Sequence, residues 1–369
     1  MVQKYKNIVI VCLMTTLIFG LAIWSWVKDA DDFSDSERRV LAKFPEVSVE
    51  MLINGDFMDD FETYTQDQFP MRETFRTIKA LSVKNLLNQS DKNDIYVADG
   101  YASKLEYPLS ESMLDYAIGR FSFIYETFIK DTGADVYLSI IPDKNAFLAE
   151  ENGYLALDYD YLIEYVKDKT PYMEYIDITG TFELSDFYRT DTHWKQEEIV
   201  ETAQVILDAM GAEAPSGYTV NTLDIPFNGV YVGQSALPLK PDTIKYLTNE
   251  TLDNCTVTSY DTGMPAGAHV YDMKAAEGRD PYEMFMSGSD ALLVLENPAG
   301  EEGKELVVFR DSFGSSLTPL LVEGYSKVTL VDIRYMQSNF VGNFVEFGEG
   351  TDVLFIYSTM LLNNSGGLK

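Results

Sequence analysis

Residues 307 to 321 read "VVFRDSFGSSLTPLL". An apolar run stops at Arg310-Asp311-Ser312, the backbone loosens at Gly314, and a helical pattern begins, which is the signature of a strand feeding a helix through a tight turn. In an open α/β sheet, ligands gather at the carboxyl ends of the strands. Ser312 falls at such an end, beside the backbone N–H groups of a helix start, which can stabilise an oxyanion. The placement suits a nucleophile. It also suits a helix cap, because Asp311, Ser312, Ser315 and Ser316 are all capping residue types, and by itself the stretch reads first as a cap.

Working outward, further strand-like runs occur at 95 to 99, 135 to 142, 172 to 178, 291 to 296, 305 to 310, 327 to 333 and 352 to 358. Several are continuously apolar, as expected for strands covered on both faces, and helical patterns at 112 to 130 and 196 to 210 lie between them. Alternation of this kind predicts an α/β domain on a mostly parallel sheet, over 91 to 369. Residues 211 to 282 break the rhythm with Pro, Gly, Thr and Tyr, and are expected to form a β-rich insertion. Residues 28 to 90 are polar and helical or irregular. Phe75, Ile78, Leu81 and Leu86 at helical spacing are expected to pack this segment on the domain that follows.

The N-terminus is different. Residues 8 to 27, "IVIVCLMTTLIFGLAIWSWV", hold no charge over twenty positions, about 30 Å as a helix. Lys4 and Lys6 precede the run, so the positive-inside rule predicts residues 1 to 7 in the cytoplasm and the remainder outside. The run is long for a signal peptide and no small-x-small cleavage site follows it, so an uncleaved single-pass anchor is expected. With one cysteine inside the run (Cys12) and one far beyond it (Cys255), no disulfide is expected in the exported part.

The formal net charge of −31, from 59 acidic and 28 basic residues, argues against nucleic acid as a partner. Membrane contact must come through the apolar run. Hydrophobic residues at 46% give ample material for a core.

Only two histidines occur, His193 and His269. His193 stands in "YRTDTHWKQ", residues 188 to 196, two positions after Asp191. In D-x-H on extended chain the two side chains point the same way, so the carboxylate can reach the ring. A serine nucleophile needs a base, usually histidine, and that histidine needs a carboxylate to fix its tautomer. Asp191, His193 and Ser312 therefore read together as a candidate triad, while His269 reads as structural. A metal site at Asp191 and His193 lacks further ligands, since no H-x-x-x-H or cysteine cluster is present. No cofactor is implied. A binding or assembly role without catalysis, with tyrosines and acids lining a carbohydrate groove, is the alternative.

"YRTDTHW" followed downstream by "RDSFGSSLTPLL" resembles the DHHW proteins, relatives of the alginate O-acetylation proteins, whose catalytic domain is similar to the SGNH hydrolases. "FSDSERRVLAKFP", "DQFPMR" and "IPDKN" (141 to 145) resemble other parts of the same pattern. The resemblance implies a three-layer α/β/α domain and a Ser-His-Asp triad that moves acyl groups on exported polysaccharide in a bacterial cell envelope. Ser312 would be the nucleophile, His193 the base and Asp191 its orienter. It also implies a separate multi-spanning O-acyltransferase as acetyl donor, since this chain offers one spanning segment. Thr192 replaces the first histidine of the family motif. "FMSGSDALLVLEN" stands where the family carries Gly-Gly-Asn, so Asp290 takes the place of an oxyanion donor, and a carboxylate only accepts hydrogen bonds. Gly288 and the backbone around Ser312 are then the candidate oxyanion donors. Arg310, Phe313, Trp194 and Lys144, within the same motifs, are candidates for oxyanion or substrate contacts.

Overall fold

The computed structural model describes residues 2–87, 89–214 and 216–369. They form two compact units, one of residues 1–93 with 232–238, the other of 94–231 with 239–369.

The larger unit is built on an eight-stranded sheet. In chain order its strands are β1 (Asp135–Ile141), β2 (Glu174–Tyr175), β3 (Thr256–Ser259), β4 (Ala266–Ala268), β5 (Leu292–Glu296), β6 (Glu305–Arg310), β7 (Lys327–Val331) and β8 (Thr351–Ser358). Their spatial order is β4-β3-β5-β7-β6-β8-β1-β2. From β7 to β2 all pairings are parallel, whereas β5, β3 and β4 add an antiparallel edge. The sheet is therefore mixed: it is parallel over five of its eight strands, in line with the mostly parallel expectation, and carries an antiparallel edge that the sequence did not signal. An apolar run reports burial, but direction is set by how the chain returns, and the short link 260–265 can make only a hairpin of β3 and β4.

Both faces of the sheet are covered. Along β6, Leu306 and Val308 join one apolar cluster with Ala203, Ile206 and Leu207 of helix Val200–Ala209. Val307 and Phe309 join the opposite cluster, with Leu114, Phe121 and Ile124 of helix Glu111–Ile124 and Leu162 and Val166 of helix Tyr159–Lys169. Every residue of β8 is buried, which explains the continuous apolar run from Val353 to Tyr357 at its centre.

The strands of residues 211 to 282 fall into two groups. Thr219–Phe227 and Asp242–Thr248 pair as a hairpin of their own, but β3 and β4 extend the main sheet. Similarly, 95 to 99 supplies a small hairpin, Ile95–Ala98 with Tyr101–Lys104, outside the main sheet.

The smaller unit holds helix Val2–Val27 and helices Val49–Asn54, Asp56–Asp67 and Arg72–Asn85. The first is long and apolar enough to cross a membrane, with a mean hydropathy of 2.4 over its most apolar stretch. Helices Asp56–Asp67 and Arg72–Asn85 contribute to an ion-pair network with Glu37 and Arg39. Asp67 accepts both Arg39 Nη1 and Nη2 at 2.8 and 2.5 Å, and Glu37 receives Arg39, Arg72 and Arg76. Helix Arg72–Asn85 thus turns its arginines inward, and Phe75, Ile78, Leu81 and Leu86 remain exposed.

Candidate active site

The Asp191 loop is a tight hairpin. Phe187 and Trp194 bridge antiparallel, and the Tyr188 N–H donates to His193 O at 3.0 Å, so residues 189 to 192 bulge as a loop. Asp242 clamps its start, accepting from the backbone of Arg189 and Thr190 and from the Thr190 hydroxyl at 2.6 Å. Gly229 lies so close that a Cβ there would stand 2.4 Å from Asp191 Cβ, which only glycine permits. The next residue, Val230, donates its N–H to Asp191 Oδ2 at 2.8 Å.

Asp191 Oδ1 faces His193 Nδ1 at 2.6 Å, and the other ring nitrogen, Nε2, lies 2.8 Å from Ser312 Oγ. The three side chains form one hydrogen-bonded line across 119 sequence positions. Asp191 and His193 are buried, whereas Ser312 is half-buried and reachable. With Nε2 beside the hydroxyl and Nδ1–H donating to the carboxylate, the ring can take a proton from Ser312 while Asp191 stabilises the imidazolium.

Ser312 caps helix Phe313–Leu317 without a side-chain capping bond, so its hydroxyl is left for His193. The capping work falls on Asp311. Its Oδ1 accepts the Phe313 N–H, and its Oδ2 accepts the N–H and hydroxyl of Ser358 at the end of β8. The carboxylate therefore fastens the turn to the neighbouring strand.

Most of the remaining candidates serve this frame. Trp194 is buried, and its Nε1–H donates to Phe313 O and Ser316 Oγ at 3.2 and 3.0 Å, which locks the histidine loop to the serine turn. Phe313 is likewise buried, its ring 5.0 Å from that of His193. Lys144 is buried and donates to the carbonyls of Ala102 and Tyr188, so it ties the histidine loop to strand Tyr101–Lys104. Burial pushes its ammonium down to about 7, against the pull of Asp191, Asp242 and Asp143. Arg310 is fully buried beneath the turn, donating to Gly288 O and to Asp332, and burial lowers its pKa.

The oxyanion candidates are corrected as well. The Gly288 N–H donates to Phe285 O at 3.1 Å, so it is engaged within its own turn. Burial is the main reason that the pKa of the half-buried Asp290 carboxyl is raised; Ser259 opposes the rise and the charge of Asp261 adds to it. Among the described residues no acceptor takes the Ser312 N–H. That donor is free for an oxyanion. His269 lies exposed at the end of β4.

Sequence reasoning missed Tyr282, which stacks on the His193 ring, and Asp242, Gly229 and Val230, which hold the loop. Only "NGVY" offered a signal, a glycine between Asn228 and Val230.

Fold and site together define an α/β protein with a Ser-His-Asp hydrogen-bonded line at the carboxyl ends of its parallel strands. The chain shares this fold with a DHHW family protein from Eubacterium siraeum, at a TM-score of 0.60 and 20% identity over 75% of this chain and 95% of that one. It is also similar to PatB1 of Bacillus cereus, whose structure carries a sulfonyl adduct, at a TM-score of 0.57 and 18% identity over 73% and 95%. The O-acetyltransferase domain of Pseudomonas putida AlgJ aligns at a TM-score of 0.44 and 13% identity, over 73% and 92%. No protein-family model and no curated protein matches the chain.

Proposed function

We propose that the protein is a membrane-anchored, extracytoplasmic serine-dependent O-acyltransferase or esterase acting on an exported or cell-envelope polysaccharide. The observation that carries this reading is the line Asp191 to His193 to Ser312, at 2.6 and 2.8 Å, joining loops that no local structure requires to meet. One structural relative lends support: the structure of PatB1 was captured with a sulfonyl adduct.

Ser312 Oγ attacks an acyl carbonyl and passes its proton to His193 Nε2. The Ser312 N–H stabilises the developing oxyanion. Collapse breaks the donor C–O bond, and His193 protonates the departing oxygen. A sugar hydroxyl, or water, then attacks acyl-Ser312, giving its proton to His193, which returns it to the serine. Residues 8 to 27 anchor the chain in a bacterial cell membrane with 1 to 7 in the cytoplasm and 28 onward outside, and the domain is of the three-layer SGNH hydrolase type. The acetyl donor reaches it through a multi-spanning O-acyltransferase partner. A serine-directed phosphonate tests the mechanism. Labelling confined to Ser312, and abolished in His193→Ala, is the expected result; an unlabelled serine in folded protein refutes it.

A further inference from the structure

The smaller unit contains a cavity of about 840 Å³ remote in sequence from the triad residues, bordered by helix Arg72–Asn85 and by residues 234 to 236. Its basic lining is Arg39, Arg72, Arg76, Lys79 and Lys92, against the acids Glu37 and Asp67. Arg39 and Arg72 are neutralised by Asp67 and Glu37, and Arg76 shares Glu37 and Glu73. Among the described residues Lys79 and Lys92 have no carboxylate partner within ion-pair distance, and Lys92 holds only the Asn93 side chain. Two unpaired ammonium groups beside an arginine are conspicuous in a chain with 59 acids and 28 bases.

The mutual repulsion is visible in Lys92. Burial first, and then the charges of Lys79 and Arg76, lower its pKa, with Asp91 the weaker opposing influence. A bound anion would relieve that repulsion. The rest of the lining suits a small polyol or sugar. Phe69 and Phe75, packed edge to face at 5.5 Å, offer an apolar wall, and Thr63, Thr65 and Gln234 offer hydroxyl and amide groups. The Arg76 guanidinium is held in place by Gly233 O at 2.5 Å, so part of the site is preformed.

We infer that this cavity is a binding site for an oxyanion, phosphate or carboxylate, carried on a polyol or sugar. A strongly acidic chain repels such ligands elsewhere, so a local excess of unpaired cations is what retention of one requires. The inference goes beyond the acyl-transfer reading and does not depend on Ser312.

Calorimetric titration of the full-length protein in detergent at low salt decides it, with glycerol 3-phosphate, glucuronate, inorganic phosphate and, as a neutral control, glucose. Saturable binding of glycerol 3-phosphate or glucuronate at least tenfold tighter than glucose is expected, weakening as salt is raised. The stronger of the two identifies phosphate or carboxylate as the natural group. Lys79 is exposed, so Lys79→Glu should fold normally, and it should weaken binding at least tenfold, as should Lys92→Gln. Ser312→Ala should leave binding unchanged, which separates this site from the triad. Absence of saturation with every anionic probe, equal affinity in both lysine variants, or loss of binding in Ser312→Ala would each overturn the inference.

Discussion

Tyr282 lies flat against the imidazole of His193, with ring centroids 3.9 Å apart and planes only 9° apart. Its hydroxyl pairs with Ser316 Oγ at 2.8 Å, so the same tyrosine touches the base and the helix that follows the nucleophile. An aromatic face stabilises a cationic ring above it. Tyr282→Phe keeps the stack and should retain acyl transfer within about threefold. Tyr282→Ala should lose at least tenfold in kcat and about 3–5 kcal/mol of stability, as for other large aromatic truncations in a core. Thermal melts with steady-state kinetics check both.

The triad members act as a unit. Ser312→Ala and His193→Ala should each remove nearly all acyl transfer, and the double variant should lose little more. Asp191→Asn should fold, since it can still accept from Val230, and yet lose roughly 10³–10⁴-fold in kcat through the wrong tautomer. Additive losses in the double variant would contradict a shared proton path.

Asp290→Asn should change turnover by less than about twofold, because the groups that act on this carboxyl are Ser259, Asp261 and Arg310, none of them a triad member. Removal of a lost oxyanion donor elsewhere costs about 2.7 to 4 kcal/mol, so a residue facing the oxyanion would give a far larger change. Turnover on an activated acetyl ester is the measurement, and a tenfold rise would place this carboxylate at the reacting carbonyl.

Stability should fall between about pH 4 and pH 6 on account of Asp143. Burial pushes this carboxyl up to about 6, although Thr359, Asn145 and Tyr159 hydrogen-bond to it. The folded state then holds the proton more tightly than the unfolded chain, so stability is greatest below the unfolded pKa, falls as pH rises to the folded one, and is flat beyond. The shift corresponds to on the order of 3 kcal/mol. Urea unfolding across this range should show the decline in the wild type and lose most of it in Asp143→Asn; equal slopes would exclude Asp143 as its source.

Residues 8 to 27 should remain in the mature protein. Intact mass spectrometry of membrane-extracted protein checks this, and a mature N-terminus within 25 to 40 would show cleavage.

Local pattern carried much of the fold. The runs at 135 to 142, 305 to 310, 327 to 333 and 352 to 358 became β1, β6, β7 and β8, because a strand buried on both faces is apolar at most of its positions. The apolar N-terminal helix was legible for the same reason, since composition and length alone decide whether a segment can cross a membrane. The spacing of Asp191 and His193 was enough to bring carboxylate and ring together, as both sit on one short loop. Tertiary structure decided the rest. The meeting of His193 with Ser312 and the stacking of Tyr282 on His193 both depend on partners far away in the chain. Trp194 and Lys144 show the same limit: their residue types suit substrate contacts, but packing buried them as ties between loops. A sequence records each residue's preference for burial and backbone shape, whereas contacts across long separations exist only once the chain has closed upon itself.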